Sequence, residues 1–459
     1  MRTMTPRALF FSATALVSLL CATLTSGSFA AASASPIRVM RPLPVPAWNQ
    51  FQGDPALTGN NPFEYTINPG NVAHLKMAWS TPSDGLLASS SPQPVVANGV
   101  VYVAVNAYLP GTNPPPDNKL YAFPAKGCSS TCQPLWTASF VDGSIGSPAI
   151  MGGVLYVTTK DGKLYAFPTQ GCSGTCKPLW SFATGSAIYY SPTAANGIIY
   201  FGTESGYLYA ISGVGCGKAI CELTATTHTV HMLWRSPLSS VSNPTDVTSP
   251  PAVADGIVFA TFGWRTLAAF SANGCGQTVC KPLWTGPKTS SDYMTVYDHM
   301  VYMTGAMHLY AFNEGGCGHA VCQPLWSGNL LYPYTQQPAV ANGVIYATAM
   351  DGNGNHGAFF AFPVRGCKTT CQPLWQGTLD VAYSFPTIAN GVIYVGTINS
   401  GKLVAYPAAG CHKTTCAPLW TYALPGETPY FQPVVTTPTI MDGTVYLTTS
   451  YLAFCAFHF

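Results

Sequence analysis

The chain has 459 residues, only 8% of them charged, and its formal net charge is +2 at pH 7. A nucleic-acid-binding protein would show a basic face, and none is visible, so we expect no nucleic-acid partner. The 44 Gly, 39 Pro and 25 Tyr residues, with no long amphipathic helix pattern, favour a turn-rich all-β fold.

Taken in chain order, the first predicted element is a secretion signal. Arg2 and Arg7 precede an apolar run over residues 8–20, and small residues then lead to a predicted cleavage point at Ala34, with Ala30 as the alternative. No later stretch reaches the roughly 18 apolar residues of a membrane span. We therefore expect an exported protein, either secreted or held on the exterior of the cell envelope, with no membrane span.

One pattern then recurs along the chain, as in "SPTAANGIIYFGTESGYLYAISGVGCGKAIC". It comprises a tight turn, an alternating strand, a second turn, an "LYAF"-type strand, a cysteine hairpin and a strand with tryptophan. Asn-Gly between apolar runs predicts a β-hairpin, because both turn positions need positive φ. The tight turns begin at Asn98, Gly152, Asn196, Asp255, Asp298, Asn342, Asn390 and Asp442. The fifth has His299 where the others have Gly.

The tryptophans recur at intervals of 42–57 residues, which is typical of four-stranded propeller blades. They are Trp79, Trp136, Trp180, Trp234, Trp284, Trp326, Trp375 and Trp420. A large aromatic residue repeated at one place in every unit indicates packing between blades. The last unit lacks its tryptophan strand, so the strand around Trp79 would complete it and remove the exposed sheet edges. The sequence therefore predicts an all-β, eight-bladed β-propeller of four-stranded antiparallel blades, closed by its N-terminal strand.

Fourteen cysteines form close pairs, which predict disulfides in an exported chain. The pairs are Cys128/Cys132, Cys172/Cys176, Cys216/Cys221, Cys275/Cys280, Cys317/Cys322, Cys367/Cys371 and Cys411/Cys416. We expect each bridge to lie on its own blade and to restrain the turn of its own hairpin. A metal site needs about four converging ligands, and one pair supplies two, so we expect no metal at these hairpins. Cys455 takes the place of a core tyrosine, and we expect a buried, inert thiol there.

The segment "AWNQFQGDPALTGNNPFEYTINPGNVAHLKMAW" resembles the opening of pyrroloquinoline-quinone (PQQ) repeat propellers. Asn71, Val72, Leu75 and Trp79 match that family's Asn-Val-x-x-Leu pattern before a docking tryptophan. The likeness extends over nearly the whole mature chain and implies the same fold. It divides the sequence into a signal at residues 1–34, an N-terminal extension at 35–70 and a propeller at 71–459.

The family includes quinoprotein dehydrogenases and assembly scaffolds, so the resemblance implies a function less strongly than a fold. Two departures bear on this choice. The repeats here have a cysteine pair where the family has an Asp and a Thr-Gly hairpin. The adjacent cysteines that quinoprotein alcohol dehydrogenases carry beside their cofactor are also missing from this sequence.

In a propeller the first strand of each blade lines the channel, so residues just before the tight turns are candidate site residues. Aligning the units gives Pro92, Gly146, Tyr190, Ser249, Asp292, Gln336, Ser384 and Thr436. A solvated rim that satisfies its own backbone is the alternative interpretation. Trp264 beside Arg265 would suit stacking on a planar ligand or a sugar, with simple packing as the alternative.

A Ca²⁺–quinone site would need several charged oxygen ligands and a general base, and only Asp292 and Asp246 offer carboxylates. We therefore expect a monomeric, non-catalytic protein without metal or resident cofactor. Its channel mouth would bind a polar molecule, a glycan, a peptide or a protein. One alternative is a divergent PQQ- and Ca²⁺-dependent oxidoreductase for an alcohol or a sugar, with Asp292 or Asp246 as base. Another is a structural protein of the cell envelope.

Overall fold

The structure is a computed structural model. It describes residues 47–81, 87–90, 92–108, 118–128, 132–140, 146–217, 219–222, 232–237, 247, 249–263, 265–289, 293–367, 370–381, 384–398, 400–424, 435–449 and 454–459. The predicted signal at 1–34 lies outside the described residues. In the described part of the chain, no helix has the length and apolar character that a membrane span requires.

The described residues form eight blades, each with a core of four antiparallel strands, as the sequence predicts; blades 1, 6 and 7 carry one additional short strand, which in blade 7 pairs in parallel. Blades 1 and 2 comprise Leu87–Ser90, Val95–Ala97, Val100–Tyr108, Asn118–Pro124 and Trp136–Phe140, then Ala149–Met151, Val154–Thr159, Lys163–Pro168 and Trp180–Ala183. Blades 3 and 4 comprise Thr193–Ala195, Ile198–Gly202, Tyr207–Ser212 and Met232–Pro237, then Ala252–Ala254, Ile257–Phe262, Thr266–Ser271 and Trp284–Lys288.

The second half of the ring follows the same order. Blades 5 and 6 comprise Tyr293–Tyr297, Met300–Gly305, His308–Asn313 and Trp326–Asn329, then Tyr334–Thr335, Ala339–Ala341, Val344–Met350, Gly357–Pro363 and Trp375–Leu379. Blades 7 and 8 comprise Asn60–Asn61, Thr387–Ala389, Val392–Gly396, Lys402–Pro407 and Trp420–Ala423, then Thr439–Met441, Thr444–Leu447, Cys455–His458 and Lys76–Ser80.

Closure of the ring occurs as predicted, because the N-terminal strand Lys76–Ser80 pairs antiparallel with the C-terminal strand Cys455–His458. A single 3₁₀ turn, Val72–His74, leads into this N-terminal strand. Cys455 is fully buried, as expected, and burial raises the pKa of its thiol to about 12. The chain therefore completes its last blade with the strand that precedes blade 1.

The tryptophan of one blade docks on a glycine of the next. At Gly171 a built Cβ would lie 1.9 Å from Cδ1 of Trp136, and the glycine has φ +70°. The same relation holds for Trp79 with Gly127, Trp136 with Gly171, Trp180 with Gly215, Trp234 with Gly274, Trp284 with Gly316, Trp326 with Gly366 and Trp375 with Gly410. Only glycine tolerates both the close indole and the left-handed backbone. These tryptophans therefore pack between blades, as the repeat indicates.

All seven predicted cysteine pairs are disulfides in the described chain. The expectation that each hairpin stays on its own blade is wrong. Gly174–Thr175 pairs in parallel with residues 136–137 at the outer edge of blade 1. The other short strands of this kind are Ile220–Glu222, Thr370–Cys371 and Thr415–Cys416. Each such hairpin therefore binds its blade to the preceding one and covers an otherwise open edge.

The burial of the disulfides also shows that the hairpins are not confined to their own blades. One cysteine of every bridge is packed in the interior, between two blades. The second cysteine of each pair is only 1–6% exposed; these residues are Cys132, Cys176, Cys221, Cys280, Cys322, Cys371 and Cys416. Each belongs to the apolar cluster that contains the docking tryptophan of the preceding blade. The pairs are Cys132 with Trp79, Cys176 with Trp136, Cys221 with Trp180, Cys280 with Trp234, Cys322 with Trp284, Cys371 with Trp326 and Cys416 with Trp375.

The physical reason is that a cysteine side chain is small and apolar enough to pack in a core. The hairpin folds back over the preceding blade, so its second sulfur covers the edge of that blade's tryptophan cluster. The bridges are therefore core contacts between blades as well as clamps on their own turns.

Candidate functional site

One segment, residues 48–61, contacts the innermost strands of all the blades; we call it the axial segment. An innermost strand has a free edge, whose backbone groups must find partners when they are buried. In blade 1 the Val96 N–H donates to the Trp48 carbonyl at 2.7 Å, and in blade 2 the Ile150 N–H donates to the Asn49 carbonyl at 2.7 Å. Both donors are the middle residue of their strand.

The pattern continues around the ring in chain order. The remaining donor–acceptor pairs are Ala194 N to Gln50 Oε1, Val253 N to Pro55 O, Val296 N to Ala56 O, Val340 N to Thr58 O, Ile388 N to Gly59 O and, in blade 8, Asn61 Nδ2 to Ile440 O, at 2.6–3.0 Å. A segment that meets the inner strand of every blade in turn lies inside the central channel. The channel is therefore filled by the protein's own chain.

Side chains at the end of the channel where the inner strands begin complete this closure. The Gln52 N–H donates to Gln93 Oε1 at 2.8 Å. Phe51 of the axial segment packs edge-to-face against Phe385, with ring centroids 5.3 Å apart, and Tyr293 lies 5.0 Å from the same ring. These residues come from blades 1, 5 and 7 as well as from the axial segment, so they form an aromatic and amide seal.

The channel-facing residues of this seal lie one position after the residues predicted from the aligned repeats. Ser249 and Ser384 are buried, and their hydroxyls bond within their own blades. Ser249 Oγ accepts from Thr261 Oγ1 at 2.7 Å, and Ser384 Oγ accepts from the Gly396 N–H at 2.6 Å. An extended chain alternates its side chains between two faces, so the next residue along faces the axis.

Tyr190 and Gln336 lie at the corresponding positions of blades 3 and 6. Their backbone carbonyls accept hydrogen bonds from Thr158 and Thr304 of the preceding blades, at 2.8 and 2.7 Å. Both residues therefore take part in contacts between blades. A ligand-binding role for either side chain stays a prediction.

Arg265 lies in the tight turn between Ile257–Phe262 and Thr266–Ser271, with φ +62° and an exposed side chain. Its carbonyl accepts from Thr289 Oγ1 at 3.2 Å. The other three candidates, Asp246, Trp264 and Asp292, lie outside the described residues. Their roles also stay predictions.

The described part of the mouth does not fit a Ca²⁺–quinone pair. Ca²⁺ takes six to eight oxygen ligands, usually including carboxylates. The eight aligned positions supply hydroxyl, amide and phenol groups but no carboxylate among their described members. The axis beside them holds the axial segment. No catalytic step through a quinone follows from this arrangement.

A cavity of about 560 Å³ opens on the opposite side of the axial segment, among the tight turns of blades 1–4. Asn49, Asp54, Asn98, Asn196 and Asp255 supply its polar lining. Burial raises the pKa of the Asp54 carboxyl, which accepts from the Thr58 N–H at 3.2 Å and from the Thr58 hydroxyl. Sequence reasoning missed this cavity, because its floor is the aperiodic axial segment.

Asp255, His299 and Glu314 meet near the cavity, at the junction of blades 4 and 5, with ligand atoms all within 4.8 Å of one another. The sequence carried one signal for this group, since the turn Asp298-His299 lacks the glycine of the other turns.

Comparison with known proteins agrees with the fold. Residues 127–315 match a PQQ-repeat family model described as outer membrane protein assembly factor BamB. No curated protein sequence matches the chain.

Solved structures give a broader match. BamB from Moraxella catarrhalis superposes with a TM-score of 0.56 and 15% identity, over 84% of this chain and 98% of that one. A quinohemoprotein alcohol dehydrogenase from Comamonas testosteroni gives a TM-score of 0.62 and 14% identity, over 90% and 80%. A europium-containing methanol dehydrogenase gives a TM-score of 0.59 and 14% identity, over 87% of this chain and 89% of that one. At these identities the similarity shows the fold alone.

Proposed function

The chain is a PQQ-like eight-bladed β-propeller, and we propose that it is a non-catalytic scaffold that binds a partner protein through its outer rim. The observation that carries the proposal is a leucine exposed at the same place on six consecutive blades. Because the axial segment fills the channel, a binding surface for a protein is expected on the outside of the ring.

The leucine that precedes the docking tryptophan is 43–58% exposed in blades 1–6. These residues are Leu135, Leu179, Leu233, Leu283, Leu325 and Leu374; together we call them the apolar rim. Single exposed apolar side chains are ordinary on a protein surface. Here the exposed side chain is repeated at one place in six neighbouring blades, and we take the repetition as the sign of a protein contact, because extended apolar surface marks such contacts.

The cysteine hairpins extend this rim. Val279 and Val321, each about half-exposed, bridge to Arg235 and Thr285 of the preceding blades. In each preceding blade the bridged residue follows the rim leucine by two positions. Apolar side chains from two blades therefore lie near each junction.

The rim is held rigidly, which favours binding because little ordering entropy is lost. The N–H of Leu283 donates to the Ala269 carbonyl at 2.7 Å, and the N–H of Leu325 donates to the Ala311 carbonyl at the same distance. Disulfides close the adjoining hairpins. Seven disulfides also suit an oxidising environment, so we place the scaffold outside the cytoplasm.

The test is photo-crosslinking in the producing cells, with a photoreactive residue at Leu283 or Val321. We expect one discrete protein adduct at both positions. Tyr65, which is 75% exposed, serves as the control position and should give none. The double variant Leu325→Ser/Val321→Ser should lose the adduct formed at Leu283 with little loss of stability, because each side chain is more than half exposed.

Two outcomes would contradict the scaffold. An adduct at Tyr334, an exposed residue just before Gln336, with none at the rim would place binding at the channel mouth. Dye reduction with an alcohol after addition of PQQ and Ca²⁺ would make the protein an oxidoreductase.

A further inference from the structure

The junction of blades 4 and 5 departs from the repeat at positions that meet in space. His299 stands where the other seven tight turns have glycine. Glu314 lies two residues before the docking glycine, where the other repeats with a cysteine hairpin have Ala125, Thr169, Gly213, Ala272, Val364 and Ala408. Because those blades form without a histidine or an acid there, neither side chain is required by the fold.

His299 also keeps a backbone conformation that suits glycine better. Its φ is +59°, in the left-handed region. A non-glycine residue there costs free energy and points to a function when a glycine would serve the turn better. The contacts of the side chain are therefore the place to look for a reason why histidine stands here.

Those contacts are two carboxylates from neighbouring blades. His299 Nδ1 lies 3.0 Å from Asp255 Oδ2 and 3.5 Å from Glu314 Oε2. The Glu314 N–H donates to the His299 carbonyl at 3.0 Å, which fixes the two residues relative to each other. One imidazole nitrogen and two carboxylates thus converge on one point.

Glu314 gives the strongest reason to place a cation at that point. Its side chain is only 4% exposed, and its one polar neighbour at salt-bridge distance is the His299 imidazole, at 3.5 Å, without good hydrogen-bond geometry to either carboxylate oxygen among the described residues. An ionised carboxylate buried in this way is strongly destabilising unless a cation neutralises it. Its backbone carbonyl does have a well-placed donor, Trp284 Nε1 at 3.1 Å, so the incomplete pairing is confined to the side chain.

From these observations we infer that Asp255, His299 and Glu314 bind a divalent transition-metal ion of the Zn²⁺ type, which ties blade 4 to blade 5. Three protein ligands of mixed nitrogen and oxygen type, with a fourth position for water, suit Zn²⁺. Ca²⁺ would need more oxygen ligands. Asp255 and His299 are 62% and 79% exposed, so the ion has a path from solvent. The inference does not depend on the proposed function.

The test is titration of the purified, metal-stripped protein with Zn²⁺ by calorimetry, and with Co²⁺ by visible absorption. We expect one ion per chain and the absorption of a tetrahedral Co²⁺ complex. Glu314→Gln and His299→Gly should each weaken Zn²⁺ binding at least tenfold, roughly the loss seen when metal-site partners are removed. His299→Gly restores the residue of the other turns, so it should fold even if Glu314→Gln does not.

The matched control is His356→Asn. His356 pairs with Asp351 at 3.0 Å on the surface, but no buried third ligand joins them among the described residues. Its substitution should leave Zn²⁺ affinity and Co²⁺ absorption unchanged. The inference is overturned if no stoichiometric ion binds, if His299→Gly binds as tightly as the parent, or if His356→Asn loses binding equally.

Discussion

Gly171 and Trp136 are in contact across the junction of blades 1 and 2, and there is no room for a Cβ between them. Gly171→Ala would add the cost of a left-handed alanine to that of overpacking, which together are about 2–5 kcal/mol. We expect the free energy of unfolding to fall by that amount. Urea unfolding followed by tryptophan fluorescence measures it.

Gly174→Ala is the matched control for this prediction. Gly174 belongs to the same hairpin and has φ +90°, but nothing lies within 4 Å of its built Cβ. Only the backbone cost of about 1–2 kcal/mol should remain. Equal losses in the two variants would refute tryptophan docking as the source of the difference.

Tyr156 contributes a second bond between blades, because its hydroxyl donates to the Gly213 carbonyl at 2.7 Å. Tyr156→Phe leaves a buried acceptor without its donor and should cost about 1–2 kcal/mol. The equivalent Tyr394 is also buried, but its hydroxyl has no partner among the described residues. Tyr394→Phe should therefore be neutral or stabilising in the same unfolding measurement, and a comparable loss there would count against this account.

The hairpin disulfides give a third prediction. Cys172 and Cys176 close a loop of about five residues, for which chain entropy gives about 2 kcal/mol. The double variant Cys172→Ala/Cys176→Ala should lose at least that much stability, because Cys176 is also buried beside Trp136. In the parent protein the N–H of residue 176 donates to the Thr137 carbonyl of blade 1 at 2.7 Å. In the variant this N–H should lose its protection from exchange with solvent. Amide exchange measures the second effect.

Ser173→Ala, an exposed change in the same loop, is the control and should alter neither property. Peptide mapping of the purified, unreduced protein should find all seven bridges. Free thiols at these positions would contradict the claim that disulfides stabilise the hairpins.

The propeller was predictable because its signals are local and repeated. Asn-Gly at 98 and 196 specifies a turn within a few residues, and a tryptophan such as Trp136 marks the same strand in each unit. The last unit lacks a tryptophan strand, and Trp79 precedes the first tight turn, so the two ends of the propeller were predicted to share one blade. Such inferences need no knowledge of distant contacts.

The reach of the cysteine hairpins was not predictable in the same way. The spacing of Cys280 from Cys275 indicates a bridge, but it does not show that Cys280 packs beside Trp234 of the preceding blade. That contact depends on how two blades meet. Local spacing therefore predicted which cysteines pair and missed which of them are buried.

The candidate site was less predictable, because its parts are brought together only by the ring. Nothing periodic distinguishes the axial segment, whose partners lie up to several hundred residues away. Sequence alignment does not show which side of the extended chain faces the axis: the Ser384 hydroxyl bonds within its own blade, whereas Phe385, one position later, packs against Phe51 of the axial segment. Asp255 and Glu314 belong to different units, so their proximity appears only in the fold.

Alkaline pH provides a fourth test. Burial raises the pKa of Tyr102, Tyr156 and Tyr200 from 10.0 to about 12. Unfolded tyrosine ionises first, so the folded protein keeps its full stability below pH 10 and loses it as the pH rises toward 12. The part of the phenolate absorbance that comes from buried tyrosines and the circular dichroism should change together in that range. The same titration of denaturant-unfolded protein should complete near pH 10. Early ionisation of all tyrosines with the fold intact would argue against tight packing between blades.

The most direct test of the central claim, that the axial segment fills the channel, is residue-resolved amide hydrogen exchange of the intact protein. The decisive amides are those of Val96, Ile150, Val253, Val296, Val340 and Ile388, each of which donates to a carbonyl of the axial segment. The structure predicts slow exchange at all six. Fast exchange, at rates typical of open sheet edges, would show that the segment lies elsewhere and that the channel is open.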